Sequence, residues 1–426
     1  MGACLHLLIL TPQFPFPPHQ GTTLRNYNLI AGLATRHAID LFSLLAPGDD
    51  PEAGDVRALV RTLVTAPQPE RAASDRMRDL FLSSLPDMAL RLWSAEAFAR
   101  LVEHYAANPP QALQVEGIEM ASYLLALREG LGFDLPIVMY DAHNAETLLQ
   151  RRAFVADMRR PIRWPAAAYS AIQTLKLGRY ERRVLLAADG VAAVSEADAD
   201  ALRRQAPGAI PEVVTNGVDL AFYDPGTSYP DPFPKTGPHL VFTGKMDFRP
   251  NIDGVQWFAD RVLPRLRTAY PDLGFWIVGR NPHPRLGALA GRPGVTITGA
   301  VPDIRPYLAH ALLYVVPLLA GGGTRLKILE ALAMARPVVS TRLGAEGFPV
   351  VDGQHLALAD TAEDFAGRCL DLLGQPAEAA AMGLAGRAFV ETRYSWERVV
   401  PRLEHLYLKT RRWSAKSLAA PSEEDD

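Results

Sequence analysis

The residues best placed to do chemistry lie between Gly321 and Glu330, in the run Gly321-Gly322-Gly323-Thr324-Arg325, followed by Lys327 and Glu330. Only residues without a Cβ let a backbone turn sharply and approach a ligand closely. Thr324 can cap a helix on which Leu326, Leu329, Leu332 and Ala333 recur at helical spacing. The apolar run Leu313 to Pro317 before it, and Pro337 to Thr341 after it, suit parallel strands covered on both faces. A helix N-terminus at a strand's carboxyl end presents unpaired N–H groups and the positive end of the helix dipole, which favours an anion such as a phosphate. Arg325 and Lys327 add positive charge. Glu330 lies too far along to cap the helix and suits a diol such as a ribose. An ordinary strand-to-helix crossover with a solvated Glu and Lys fits the same spacing.

A second constellation is Asp141-Ala142-His143-Asn144-Ala145-Glu146, directly after the apolar run Pro136 to Tyr140. Polar residues at the carboxyl edge of a buried strand stand where open α/β sheets bind ligands. His143 can change charge near neutral pH. An Asn144 cap beside a satisfied His is the structural alternative. A third candidate is Lys245, which follows the strand-like His239 to Thr243 and the turn-forming Gly244. Near the N-terminus, prolines at 12, 15, 17 and 18 forbid a helix. Gly21, Thr22 and Thr23 then begin one, with Leu24, Leu29, Ile30 and Leu33 as its apolar face.

The elements that must position these groups read as an alternation of buried strands and helices. Further strands are expected at Leu5 to Leu10, Ala38 to Leu44, Gln111 to Glu116, Gly190 to Ser195, Glu212 to Asn216, Phe275 to Val278 and Val295 to Thr298. Ser195 can cap a helix. Between Asp49 and Pro110 the chain reads as helical stretches rich in Arg, among them Arg57, Arg61, Arg71, Arg76, Arg78 and Arg91, with solvated faces. Gln150 to Arg183 reads as a long surface helix whose start is broken by Pro161 and Pro165. Its basic and aromatic residues also suit an anionic membrane surface beside a lipid-linked acceptor.

The chain has 426 residues, 48% of them hydrophobic, enough for two α/β cores. A formal charge of −3 argues against a dominant nucleic-acid role. Two cysteines, Cys4 and Cys369, suggest neither a disulfide framework nor a cysteine metal site, and favour a reducing cytosol. The N-terminal apolar run is too short for a signal peptide, and no segment approaches the roughly eighteen apolar residues that cross a bilayer. Any membrane contact is therefore expected to be peripheral.

Glu330 with Ala331-Leu332-Ala333 and Pro337-Val338-Val339 resembles the donor-binding signature of glycosyltransferase family 4, retaining enzymes of GT-B fold that use nucleotide sugars. The resemblance continues through most of the chain: Gly21-Thr22, the Asp-x-His-Asn stretch at Asp141, the Val-Ser at Ser195, Asn216-Gly217-Val218-Asp219, and Gly244-Lys245. It implies two Rossmann-like α/β domains with an interdomain cleft. The expected boundaries are 1–225 for an acceptor-side domain, 226–238 for a linker and 239–395 for a nucleotide-sugar domain. A return helix at 396–413 packs back on the first domain, and a disordered acidic tail occupies 414–426.

By the same resemblance, Gly21 and Thr22 face the donor and Arg25 reaches towards the acceptor. His143 serves the acceptor or the reacting sugar with Asp141, while Asn144 and Glu146 stand on the acceptor side. Lys245 contacts the donor diphosphate as a catalytic cation, Val301 contacts the base, Gly323, Thr324 and Arg325 line the phosphate loop, and Glu330 holds the ribose. The family's first Glu is replaced here by Gly322. Its second lysine is replaced by Pro250-Asn251, for which Arg249 is the substitute. The reaction implied is sugar transfer with retention, without a metal or other cofactor. The donor would be a nucleotide-diphosphate sugar and the acceptor a saccharide or lipid-linked hydroxyl, in cell-surface polysaccharide or glycolipid assembly at the inner face of the membrane. A nucleotide-sugar epimerase or hydrolase and a non-catalytic partner subunit share the fold. A dinucleotide dehydrogenase ranks last, because the first strand lacks Gly-x-Gly-x-x-Gly.

Overall fold

The computed structural model describes residues 4–130, 135–158, 161–233, 237–321 and 325–419. They form two compact units, one of residues 1–215 with 399–426, the other of residues 216–398.

The first unit is built on seven parallel strands: β1 (His6–Thr11), β2 (Ala38–Leu45), β3 (Thr62–Pro67), β4 (Ala112–Glu116), β5 (Ile137–Ala142), β6 (Gly190–Ala193) and β7 (Pro211–Val213). Their order is β3-β2-β1-β4-β5-β6-β7. Central strands are almost wholly buried, which is why Leu7–Leu10, Leu113, Val115 and Val138–Tyr140 read as continuous apolar runs. Strand β3 falls in the stretch expected to hold only helices. It is a half-buried edge strand, Thr-Leu-Val-Thr-Ala-Pro, too short and too polar to announce itself. Among the described residues, the region Glu146 to Ala187 holds two α-helices, Glu146–Met158 and Trp164–Ala187, with a 3-10 turn at Pro161–Arg163 before the second. Pro165 sits in the first turn of that second helix, where its missing N–H costs nothing.

The second unit has six parallel strands: β8 (His239–Thr243), β9 (Gly274–Val278), β10 (Val295–Gly299), β11 (Leu313–Val316), β12 (Val338–Ser340) and β13 (Ala357–Leu358). Their order is β10-β9-β8-β11-β12-β13. Both sheets therefore have the same doubly wound order. The first strand of each lies between the second and the fourth, so strand order reverses at β1/β4 and at β8/β11. Such switch points leave a crevice at the carboxyl ends of the strands.

Three expectations on boundaries change: the first unit ends at residue 215 and not at 225, and two further bounds move. The stretch 226–238 belongs to the second unit, where Phe233 packs on His239 and Trp276 at 4.2 and 4.9 Å between ring centroids. The terminal helix runs from Trp396 to Ala419, past the expected end at 413, because Ser414 to Ala419 contains no Gly or Pro to stop it. From Val399 onward this helix is part of the first unit, where Val399, Val400, Leu403, Leu406 and Tyr407 are buried. Glu404 pairs there with Arg36 at 2.7 Å and with His37 at 3.3 Å. Residues 420–426 of the acidic tail lie outside the described residues.

Candidate functional sites in the two units

In the first unit, residues from four segments gather at the carboxyl ends of β4 and β5. Glu116 is the last residue of β4 and Asp141 lies near the end of β5, paired across the strands in register. Arg25, from the helix Gly21–Ala34, donates to both Asp141 oxygens at 2.9 Å through Nε and Nη2. The same guanidinium donates to the carbonyls of Thr215 and Val214 at 3.0 Å each. Only 1% of Arg25 is exposed. It therefore cannot reach out to an acceptor as expected: burial, two carboxylate bonds and two carbonyl bonds fix it as a strut between the first helix, β5 and the segment after β7. Asp141 is equally buried, with both carboxylate oxygens taken by Arg25.

His143 stands nearer the surface, and its Nε2 lies 2.8 Å from Glu116 Oε2. The other Glu116 oxygen accepts from Gln114 Nε2. Burial alone would lower the His143 pKa, but the hydrogen bond and charge of Glu116, with Asp141 beyond, raise it above the usual value. Asp141 is pushed up to about 6, by burial first and by Glu116, against the pull of Arg25. Gly117, at φ +78°, explains how this edge is opened. A Cβ there would lie 3.0 Å from Glu119 Oε2 and 3.3 Å from His143 Nδ1, so these two polar atoms share the space above its Cα. Arg91 binds Glu119 from the outer side. Asn144 Nδ2 donates to Glu146 Oε1 at 2.9 Å. Glu146 opens its helix with its N–H on Glu181 Oε1 at 2.8 Å, and burial, with Glu119, pushes its carboxyl up to about 7.

Glu116, Asp141 and His143 bring ligand-type atoms within 4.8 Å of one another, a grouping not evident from the sequence. Glu116 is bonded to His143 and Gln114, and Asp141 to Arg25. The Glu-Gly pair at the end of a buried strand was the available signal for Glu116, of the same kind as that used for Asp141. Gly21 and Thr22 occupy the first turn of their helix, which Thr23 secures by accepting the Gln20 N–H at 3.1 Å.

In the second unit, three adjacent strands end in glycine: Gly244 after β8, Gly279 after β9 and Gly299 closing β10. A Cβ on Gly279 would lie 1.7 Å from the Gly244 carbonyl oxygen, so these two backbones can approach this closely only with glycine at 279. Gly279 N–H also donates to Gly299 O at 3.2 Å. Lys245 is exposed just beyond Gly244, and Val301, partly buried, just beyond Gly299. Arg249 leans on Asp253, Nε to Oδ2 3.4 Å, one helical turn away. Arg325 is the residue preceding the helix Leu326–Ala333 and is buried, while Gly322, Gly323 and Thr324 lie outside the described residues.

Glu330 projects from that helix beside the hydroxyl of Tyr223. Burial raises its pKa, with Tyr223 and Lys327 pulling the other way. Tyr223 is itself held by Arg387, whose Nη1 donates to the Tyr223 carbonyl at 2.6 Å and also to the Ala333 carbonyl at the helix end. Neither Tyr223 nor Arg387 was legible in the sequence, since Tyr223 meets Glu330, and Arg387 meets Tyr223 and the helix end at Ala333, only in the fold. Lys327 ends between Asn251 and the ring of Phe242.

Residues 20–222 match the profile described as Glycosyltransferase Family 4, and residues 237–375 that described as Glycosyl transferases group 1. A GDP-mannose-dependent alpha-(1-6)-phosphatidylinositol monomannoside mannosyltransferase of Mycolicibacterium smegmatis is 33% identical over 161 residues, 34% of this chain and 42% of that protein. A phosphatidyl-myo-inositol mannosyltransferase of the same organism is 29% identical over 203 residues, 46% of this chain and 50% of that protein. The chain thus spans about half the length of the curated relatives it matches. Among solved structures, sucrose-phosphate synthase from Thermosynechococcus elongatus superimposes with a TM-score of 0.71 at 17% identity, covering 97% of this chain and all of the other. HepE of Anabaena in complex with UDP-glucose does so with a TM-score of 0.64 at 14% identity, covering 95% of this chain and all of the other. The two profiles, one on each α/β unit, and the shared architecture agree: this chain belongs to glycosyltransferase family 4 and has the GT-B fold.

Proposed function

We propose that the protein transfers a sugar from a nucleotide-diphosphate sugar to a hydroxyl acceptor, with retention at the anomeric carbon, in the assembly of a glycolipid or cell-surface polysaccharide. The observation that carries this reading is the edge of β8 and β11. There an exposed lysine beyond a glycine turn and a glutamate oriented by Tyr223 stand on the two sides of a switch point, as diphosphate and ribose recognition require. Lys245 would stabilise the charge developing on the departing diphosphate, which is electrostatic catalysis. Glu330 would accept hydrogen bonds from the ribose diol, and Val301 would lie against the base. Gly21 and Thr22, at a helix N-terminus, would face the donor.

In the first unit, His143 would serve the acceptor or the reacting sugar, held by Glu116. Asn144 and Glu146 would line the same edge. Arg25 and Asp141 would fix the geometry from behind. The reaction would proceed without a protein-bound metal, a reading supported by the existing bonds of Glu116 to His143 and of Asp141 to Arg25. A lipid-linked acceptor is suggested by the phosphatidylinositol mannosyltransferases among the relatives, with action at the cytoplasmic membrane face. Among the described residues, no helix is long and apolar enough to cross a membrane, so contact would be peripheral.

Isothermal titration calorimetry of the purified protein against UDP, GDP, ADP and their sugars, repeated with Glu330→Ala and Lys245→Ala, tests the donor site. One nucleotide sugar should bind and both substitutions should weaken it. Binding that ignores both residues, or no binding at all, would leave the partner-subunit reading in its place.

A further inference from the structure

The resemblance leads to a second lysine a few residues beyond Lys245, and this chain has Pro250 and Asn251 there. Arg249 is a poor replacement. Its guanidinium lies against Asp253, which also takes Arg285 at 2.8 Å. A different ammonium comes to Asn251. Lys327 Nζ donates to Asn251 Oδ1 at 2.9 Å, and Asn251 Nδ2 donates in turn to the Lys245 carbonyl at 2.8 Å. One amide side chain thus ties the two lysines together. Asn251 is itself buried, so its position is set by the fold and not by solvent.

The surroundings of Lys327 Nζ suit a cation waiting for an anion. It lies 3.9 Å from the centroid of the Phe242 ring, whose face attracts positive charge without neutralising it. A Cβ on Gly244 would come within 2.8 Å of it, so the ammonium stands directly above a backbone turn that only glycine leaves open. An ammonium has three N–H donors. Asn251 takes one, and among the described residues no carboxylate forms an ion pair with it. Burial pulls the Lys327 pKa down to about 7, against the attraction of Glu330 and with the repulsion of Arg325. An anion arriving at this edge would reverse that shift and recharge the amine.

We propose that Lys327 is the second diphosphate-binding cation of this protein, positioned by Asn251. It would supply from the helix Leu326–Ala333 the charge that relatives of this type carry at the place of Asn251. The inference rests on the nucleotide-sugar reading above and adds to it a residue from a different element. It also explains why a neutral amide can stand at position 251: Asn251 has become the support of the cation and is no longer the cation.

Calorimetry with UDP and GDP as probes, and with uridine and guanosine as phosphate-free controls, tests the proposal on Lys327→Met and on the exchange pair Asn251→Lys with Lys327→Asn. Lys327→Met should cost about tenfold to a hundredfold in affinity for the diphosphate that binds, the range for a charge-assisted hydrogen bond, with little effect on its nucleoside. The exchange pair should recover most of the loss. Titrations at pH 8 in two buffers of different ionisation enthalpy should show proton uptake by the native protein and none by Lys327→Met. Wild-type binding retained unchanged in Lys327→Met overturns the proposal and leaves the donor reading standing. A folded variant, by circular dichroism, that loses nucleoside and diphosphate together and is not rescued by the exchange also overturns it, assigning Lys327 to structure. No diphosphate binding by the native protein removes both readings.

Discussion

Arg25 and Asp141, 116 positions apart in sequence, face each other through two hydrogen bonds of 2.9 Å inside the first unit. The parallel fork geometry matches the two oxygens of a carboxylate to two N–H groups of a guanidinium. Such a pair is costly to break, because removing one partner leaves the other charge buried and unmatched. Arg25→Met should therefore destabilise the protein by about 3–5 kcal/mol. Arg25→Lys should restore little of that, because an ammonium cannot span both oxygens and two carbonyls. Urea unfolding of the three proteins measures it, and a loss below about 1 kcal/mol for Arg25→Met would show that the pair is not held as described.

The Glu116–His143 contact predicts a titration. The folded pKa of His143 is raised above its usual value. The stability that this pair contributes is therefore fully present below about pH 6.5 and is lost as pH rises through the folded value. Glu116→Gln removes the dominant opposing charge while burial remains, so the His143 pKa should fall. The imidazole Cε1 proton followed by NMR gives both values. An unchanged midpoint would mean that Glu116 does not govern His143.

Glu146 has a similar pH dependence with a different cause. Its carboxyl is pushed up to about 7 by burial and by Glu119. The folded protein then holds a proton that the unfolded chain releases between roughly pH 4.5 and 7, and stability falls as pH rises across that window. Glu146→Gln should match the native protein at pH 4.5 and exceed it in stability at pH 8, by on the order of 2 kcal/mol. Thermal unfolding at the two pH values checks this, and equal behaviour at pH 8 would refute it.

Gly279→Ala tests the glycine edge of the second unit. The new methyl would lie 1.7 Å from the Gly244 carbonyl oxygen, a backbone atom that no rotamer can move aside. A stability loss of at least about 1–3 kcal/mol, the range for overpacking, is expected. Diphosphate binding should fall with it, because Gly244 carries Lys245 and lies under Lys327. Gly367→Ala, on a helix in open space, is the control and should be close to neutral or slightly stabilising.

Much of the frame was written in local pattern. Continuous apolar runs such as Leu313–Val316 and Leu7–Leu10 admit few readings other than buried parallel strands. The polar run after β5 and the glycine after β8 announced themselves because they interrupt such runs at the carboxyl end. The half-buried β3 did not, since an edge strand shares its composition with a loop. The helix start at Leu326 and the glutamate at 330 were likewise visible, as spacing on one helix is a local property.

By itself the sequence determined the alternation of elements, the family signature, and which strand ends carry chemically useful side chains, because each of these depends on neighbours close by along the chain. Only the tertiary structure decided which of those side chains are free to act. Arg25 looked like a residue for the acceptor and is buried on Asp141. Lys327 was legible as added positive charge at the helix start, but not as an ammonium standing on Asn251 above Gly244, 76 positions from its partner. Strand order is the physical reason. By placing β1 beside β4 and β8 beside β11, the fold brings together chain ends whose separation along the sequence carries no information about their distance in space.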